Sequence, residues 1–484
     1  MLAATVIACL TVLTINRGPL VYFDTGSYFR QGNIALSMIL PAPAPQDGIV
    51  AQSPGAAAGK DDDETAGGSR SIVYGLLVAA FWRVDALGGV AVVQLTLLLL
   101  AVWLAVRLLE RSAPTGRTPI VLITLPLLAA ATTSLPFYVA YIMPDIFTSV
   151  MLILIAAVVA SGRQIQIGEV LAIFALGLFA VVLHPSHLGI AVLMFPLTVL
   201  AAVLRIGQGR WLAVGFMIFL SGLAMAERKV FEVAVETATQ KEVVYTPHIT
   251  ARLIVDGPGM AYLDDVCPSS ELATCALHEA LSWSDDPYRL TASHIIFERS
   301  ENLGSFRLMT AEDQQAVAFE QRDFFLRVLT ARPIGTVLAL AGNATEQLLT
   351  NSVVMTIPND VVVSNVKSLS GLPEGQFDVL DDTVLTADQG WIGPLDTVHA
   401  VIYLISAAIV VGLIIWPGQV ATPFRVFALF LLLGIAVNAL VCGGVSQPAP
   451  RYGARVMWLL PFAATLLLLV RRPKALRSVS AEDP

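Results

Sequence analysis

Charge is scarce in this chain. Only 14% of its 484 residues are Asp, Glu, Lys or Arg, where a soluble globular domain carries about a quarter, so an ordinary water-soluble fold is excluded for most of the length. Basic residues are scarcer than acidic ones, 29 against 37 for a net charge of −8. That removes the broad cationic face which phosphate-backbone binding needs and argues against nucleic acid as a partner. Four cysteines rule out a disulfide-dense scaffold, and none stands in CxxC or Cys/His spacing for structural zinc. Also missing are the glycine-rich GxGxxG and GxxxxGK loops of nucleotide sites and the GxSxG elbow of serine hydrolases.

What fills the chain is apolar. Hydrophobic residues make up 56% and the mean hydropathy is +0.73. A helix rising 1.5 Å per residue needs about 20 residues to cross a hydrocarbon layer of about 30 Å. Nine charge-free runs approach or exceed that length: 1–16, 86–106, 118–144, 146–162, 170–204, 211–226, 397–424, 426–450 and 456–470. The run 170–204 is too long for one crossing and is broken at His184-Pro185-Ser186-His187, so it predicts a hairpin. The pattern predicts a membrane all-α fold, a polytopic bundle of about ten transmembrane helices. Residues 1–16 lack the charged start and the AxA site of a cleaved signal peptide and are read as the first span.

Laid out alternately, the spans put Arg107, Arg111, Arg117, Arg163, Arg205, Arg210, Arg425 and the basic tail from Arg471 on one side, while the short loops 136–145 and 184–187 opposite carry no Lys or Arg. Basic residues mark the cytoplasmic side. Both termini are therefore expected inside, with 17–85 and 227–395 extracytoplasmic. The organisation that follows is an N-terminal transmembrane region 1–226, an external domain 227–395 and a C-terminal transmembrane region with tail, 396–484. Within the first outer loop, 41–69 is rich in Pro, Ala, Gly and Asp and reads as a mobile insert, flanked at 18–40 and 70–85 by short helices lying along the membrane surface.

The segment 227–395 holds 11 Lys and Arg against 24 Asp and Glu, the composition of a domain that folds in water. Thr310 to Asp313 forms a capping box for an amphipathic helix running to Arg332-Pro333, and a second helix, 333–349, follows. The run Val361 to Val363 reads as a short strand, which makes the external domain mixed α/β. Cys267 and Cys275, eight residues apart, are expected to pair in an oxidising compartment, at about 2–3 kcal/mol of stabilisation. Cys9 and Cys442 lie in or beside spans as packing residues.

Polar groups near the outer boundary are few. Asp24, in Phe23-Asp24-Thr25-Gly26-Ser27-Tyr28-Phe29-Arg30 just past the first span, is costly there unless solvated or partnered; it either caps the next helix or does chemistry. Asp145 follows Pro144 at the start of a span, a position the helix dipole favours for structural reasons alone. His184 and His187 sit one turn apart and either close helix ends or join Asp24 and Asp145 around a divalent cation, Mg or Mn. Arg451 and Arg455 precede the last span on the side where basic residues are rare, a placement suited either to an anion such as a lipid phosphate or to headgroup anchoring.

Together these motifs resemble the GT-C superfamily of integral-membrane glycosyltransferases, in its bacterial, polyprenyl-phosphate-sugar-dependent form. Asp24-Thr25-Gly26-Ser27-Tyr28 is similar to the Asp-containing first outer loop of that superfamily. Ser69-Arg70-Ser71-Ile72-Val73-Tyr74-Gly75-Leu76-Leu77 is similar to its Arg-x-Pro-x-Tyr-Pro-x-Leu-Leu stretch, without the prolines. Pro144-Asp145, Arg451-Tyr452 and Pro461-Phe462 match its layout. The resemblance implies transfer of a sugar from a polyprenyl-phosphate donor to a glycan, lipid or protein acceptor on the outer face of the bacterial inner (cytoplasmic) membrane, usually with inversion. It gives Asp24 the role of base, Arg451 with Arg30 or Arg70 that of holding the departing lipid phosphate, and Asp145 that of positioning acceptor or cation; Tyr28, His184, His187, Tyr452 and Arg455 are further candidates for substrate contact. Alternatives are a polysaccharide polymerase or ligase using lipid-linked oligosaccharide, and a transporter or flippase. The last expects midplane charges and a hydropathy repeat, and neither is present in the sequence.

Overall fold

The computed structural model describes residues 1–40, 65–67, 71–240, 242–370, 384–387, 389–416 and 418–471. Among the described residues, seven helices are long and apolar enough to cross a membrane: Gly89–Ser112, Ile146–Gln164, Pro185–Val203, Arg210–Thr237, Ile392–Ile415, Thr422–Ser446 and Pro450–Leu469. The protein is a multi-pass, all-helical membrane protein. Seven rather than ten elements pass because three of the expected spans are short or interrupted. Residues 1–16 divide into Leu2–Cys9 and Thr11–Asn16. The run 118–144 divides into Pro119–Ala131 and Leu135–Ala140, separated by Thr133 and Ser134, whose buried hydroxyls are partnered by Ala130 and by Tyr403 and Ala454. The third, Ile167–Val182, has 16 residues and ends at the expected break, where His184 and Pro185 start the next helix.

At the centre stands Ile146–Ser161, buried at all sixteen positions, as an element that is apolar all round must be. It packs between Gly89–Ser112 and Thr422–Ala439, where a Cβ on Gly434 would meet Leu152 at 2.6 Å. At the end of the bundle away from Asp145, Glu169 draws in Arg107 at 2.7 Å together with Arg111.

The flanks of the first long loop form the helices Phe23–Ile39 and Ile72–Arg83, packed so closely that a Cβ on Gly32 would lie 1.9 Å from the Gly75 carbonyl oxygen. Gly32→Val must push the two helices apart, and overpacking of this kind costs about 1–3 kcal/mol or more. A thermal-unfolding scan in detergent should show a lowered midpoint for Gly32→Val and none for Gly168→Ala, where nothing lies within 4 Å; equal midpoints would deny the contact.

Most of 227–395 gathers around a second apolar core that includes Leu253, Ile254, Leu263, Leu277, Ile295, Phe306, Val317, Phe324 and Val328. Among the described residues this region is helical, which corrects the expectation of a mixed α/β domain. Its one strand, Glu242–Val244, pairs in parallel with Thr65–Gly67. The run 361–363 lies inside the helix Asp360–Ser370. Asn359 accepts from the Val362 N–H at 2.9 Å, Asp360 occupies the first turn, and Val362 and Val366 bury together against Val21; a cap and a four-residue spacing outweigh the β-preference of three valines. Thr310 caps Ala311–Ala331 through the Asp313 N–H, as its capping box predicts. Cys267 and Cys275 are joined in a disulfide with their Cα atoms 5.6 Å apart. The mobile-insert reading of 41–69 falls almost wholly outside the described residues.

Candidate active site

Four charged side chains from distant parts of the chain meet at one end of the bundle. The loop before the central helix is fixed first: Leu20 N–H donates to Ala140 at 2.9 Å and Ile142 N–H donates back to Leu20 at 2.7 Å. Thr25 then ties the helix Phe23–Ile39 to this loop, its hydroxyl donating to the Ile142 carbonyl at 3.1 Å and accepting from the Tyr22 N–H at 2.9 Å. Thr25 therefore closes the helix start that Asp24 was a candidate to cap. Asp24 projects from the first turn toward Arg451.

Asp145 stands immediately before the central helix and makes no side-chain cap. Its two oxygens accept instead from Arg451, at 3.0 and 3.1 Å from Nε and 2.8 Å from Nη2, and from Arg455 Nη1 at 3.3 Å. Arg451 Nη1 reaches Asp24 at 3.5 Å. Arg455 is held further by Asn438, at 3.1 and 2.8 Å, and by the Ser186 hydroxyl at 3.2 Å. The side chains of Asp145, Arg451 and Arg455 are 1%, 3% and 0% exposed, that of Asp24 29%. Two acids and two bases balance, which is how such charges survive burial, and one carboxylate of the four opens outward.

The short helix carrying both arginines is pinned along its length. Tyr138 and Ser149 donate to the carbonyls of Arg451 and Arg455 at 2.5 and 2.8 Å, and Asn438 donates to that of Tyr452 at 2.8 Å. Ahead of it, the Gln347 amide forks onto Ala449, donating to its carbonyl and accepting from its N–H, each at 2.9 Å. Gln347→Ala should strand both buried groups, at about 1–3 kcal/mol each. A chemical-denaturation curve in micelles would register this as a lowered midpoint, and an unshifted curve would show that the fork holds nothing. The Arg451 guanidinium also lies 4.8 Å from the ring of Tyr22 and 5.5 Å from that of Tyr452, which is itself 5.0 Å from Arg455.

The remaining candidates divide. His184 joins the cluster through Ser186, whose hydroxyl lies 2.8 Å from its Nδ1. His187 faces inward with both ring nitrogens engaged, by Thr148 at 2.8 Å and the Ala180 carbonyl at 2.6 Å. Tyr28 is buried edge-on against Tyr74, ring centroids 5.1 Å apart. Arg30 follows Asp24 by six residues, about 600° of turn, and so leaves the helix on another side. Arg70 lies outside the described residues. Among those described, no three His, Cys, Asp or Glu side chains are grouped to hold a metal ion. With both Asp145 oxygens committed to guanidiniums, the donor set does not fit a resident Mg or Mn.

Sequence reasoning missed Tyr22, Ser186, Asn438 and Tyr141, whose ring lies 5.9 Å from the Arg451 guanidinium. Asn438 alone gave a signal, as an amide inside an otherwise apolar span. It also missed His248, which stands near enough for the Asp24 charge to act on it; burial pushes its imidazole down to about 4 against that pull, so it is neutral at pH 7.

Beside the cluster opens a small pocket, with Leu188 and Phe231 on its apolar wall and Ser71, His184, Glu227, Arg228 and Tyr245 among its polar groups. The Arg228 guanidinium lies 4.4 Å from the Tyr245 ring. Ser71 Oγ is buried and, among the described residues, has no hydrogen-bond partner. His184 lines this pocket and is linked through the Ser186 hydroxyl to the Arg455 guanidinium. No protein-family model, no curated protein and no solved structure matches the chain.

Proposed function

We propose that this protein moves a sugar from a polyprenyl-phosphate carrier to an acceptor hydroxyl, as an inverting glycosyltransferase of GT-C type on the extracytoplasmic face of a bacterial cytoplasmic membrane. The observation that carries the proposal is the convergence of Asp24, Asp145, Arg451 and Arg455 at one end of the bundle, with Asp24 alone open. A lipid-phosphate donor asks for an apolar path for its tail, a cation at headgroup depth and a base on the same side. The half-apolar pocket with Arg228, and Asp24 beside Arg451, answer those needs.

In the reaction, an acceptor oxygen attacks the anomeric carbon while its proton passes to a carboxylate oxygen of Asp24. The bond from the anomeric carbon to the phosphate oxygen breaks, and its electron pair leaves with the lipid phosphate. Arg451 does not serve as a spare cation, because Asp145 and Asp24 already balance it. Protonation of Asp24 frees Nη1 of Arg451 as negative charge builds on the departing phosphate, so the guanidinium exchanges one anion for another without moving. Asp145 never titrates in this scheme; it holds Arg451 and Arg455 in place.

Purified protein in proteoliposomes, given a radiolabelled polyprenyl-phosphate sugar and an envelope glycan extract, should release polyprenyl phosphate and label the acceptor. Transfer from a nucleotide sugar alone, with none from any polyprenyl-phosphate sugar, would overturn the assignment.

A further inference from the structure

The helix Pro333–Leu349 is inverted relative to a helix that faces water. Its buried positions include Thr336, Asn343 and Gln347, all polar, while Ile334, Val337, Leu338 and Leu349 are 75%, 55%, 67% and 77% exposed. A surface helix of a soluble domain does the opposite. The buried polar stripe is partnered within the protein: Thr336 donates to the Arg332 carbonyl at 2.9 Å, Asn343 donates to Asp256 at 2.7 Å and accepts from Arg252 at 3.0 Å, and Gln347 grips Ala449. No ionisable residue occurs in 333–345.

Placement adds a second line. The chain turns through 115° between Ala311–Ala331 and Pro333–Leu349, so the first helix joins the core of the 227–395 domain while the second leaves it. Apart from the Asn343 bonds to Arg252 and Asp256, Pro333–Leu349 packs on Thr422–Ala439 and on the π-helical segment Leu440–Ser446 that completes that membrane span. The approach is close: a Cβ on Gly443 would stand 2.5 Å from the Asn343 carbonyl oxygen. The helix thereby lies against a membrane span with Ile334, Val337 and Leu338 turned away from the protein.

We infer that residues 333–345 of this helix are seated in the bilayer, with the Ile334, Val337 and Leu338 side chains against lipid acyl chains in the leaflet beside the 227–395 domain. In hydrocarbon, apolar side chains lose nothing by facing outward, and polar ones must be satisfied inside; residues 333–345 meet both conditions, and the exposed carboxylate of Glu346 marks where the helix leaves the hydrocarbon. It is an embedded element within the segment whose composition reads as wholly water-soluble. Through Gln347 and Ala449 it borders the turn leading into Arg451. The inference stands apart from the chemistry proposed above and needs no substrate.

The test uses full-length protein in phosphatidylcholine/phosphatidylglycerol vesicles, spin-labelled at Leu338→Cys and Ile334→Cys, with Glu312→Cys as an exposed reference on the preceding helix and the unsubstituted protein giving the background from Cys9 and Cys442. Val337→Cys replaces either probe that fails to fold. Collision with oxygen relative to a water-soluble nickel chelate should be several-fold higher at 334 and 338 than at 312. A ratio equal to that at 312 would overturn the inference in favour of water. Exclusion of both reagents, relieved by dilution with unlabelled protein, would overturn it in favour of a second copy.

Discussion

Asp24→Asn is expected to lower sugar transfer from a polyprenyl-phosphate donor by on the order of 10²–10⁴, the range that a positioned general base contributes, while leaving the fold intact. The amide is nearly isosteric and still offers an oxygen to Arg451 Nη1, which the carboxylate meets at 3.5 Å; what it lacks is the capacity to take a proton at neutral pH. Because Thr25 rather than Asp24 closes the helix start, no cap is lost. The measurement is a transfer rate in proteoliposomes beside a thermal-unfolding scan of the same preparation. An unchanged rate would remove Asp24 from the chemistry. A collapse of the unfolding midpoint would assign it to the fold.

Asp145→Ala should do the reverse and damage the fold first. It leaves Arg455 buried with neutral partners only and Arg451 with Asp24 alone at 3.5 Å, and deleting one side of a buried ion pair costs about 3–5 kcal/mol. That is a large part of the total stability of an ordinary domain, about 5–15 kcal/mol. The variant should express poorly or unfold early in detergent. The double variant Asp145→Leu, Arg451→Leu removes both members of the main pair, and a well-packed apolar substitute for a buried pair is often neutral or stabilising. Its stability should recover only in part, because Arg455 loses Asp145 and keeps the neutral Asn438 and Ser186, while transfer stays absent. Recovery of transfer in the double variant would mean that the guanidinium serves structure alone.

Why the four charges were legible in the sequence and their pairing was not follows from the same physics. In a chain this apolar, each ionisable group at a span end stands out, since its burial is costly. Which partner balances it depends on packing across 306 residues for Asp145 and Arg451, and spacing carries no record of that. Arg451 thus read as a cation awaiting phosphate, where it is already neutralised. Rotation about a helix axis was equally hidden. His187 and Tyr28 lie in promising stretches yet turn into the protein. The helix 333–349 was legible as a helix, but which of its faces is buried depends on the neighbouring span. The capping signals at Thr310 and the break at His184-Pro185 were legible because they are local. The helix at 360–370 is hidden in the sequence because three consecutive valines favour a strand, while the opposing signal rests on Asn359 and Asp360 alone.

The account rests on Asp24 and Arg451 serving one substrate at one opening. The most direct measurement is an electron cryomicroscopy structure of the Asp24→Asn protein in lipid nanodiscs with a polyprenyl-phosphate sugar bound. The predicted result places a phosphate oxygen within hydrogen-bond distance of Arg451 Nη1, the anomeric carbon facing residue 24 and the lipid tail leaving past Leu188 and Phe231. Phosphate density bound elsewhere, with Arg451 still wholly engaged by residues 24 and 145, would contradict it.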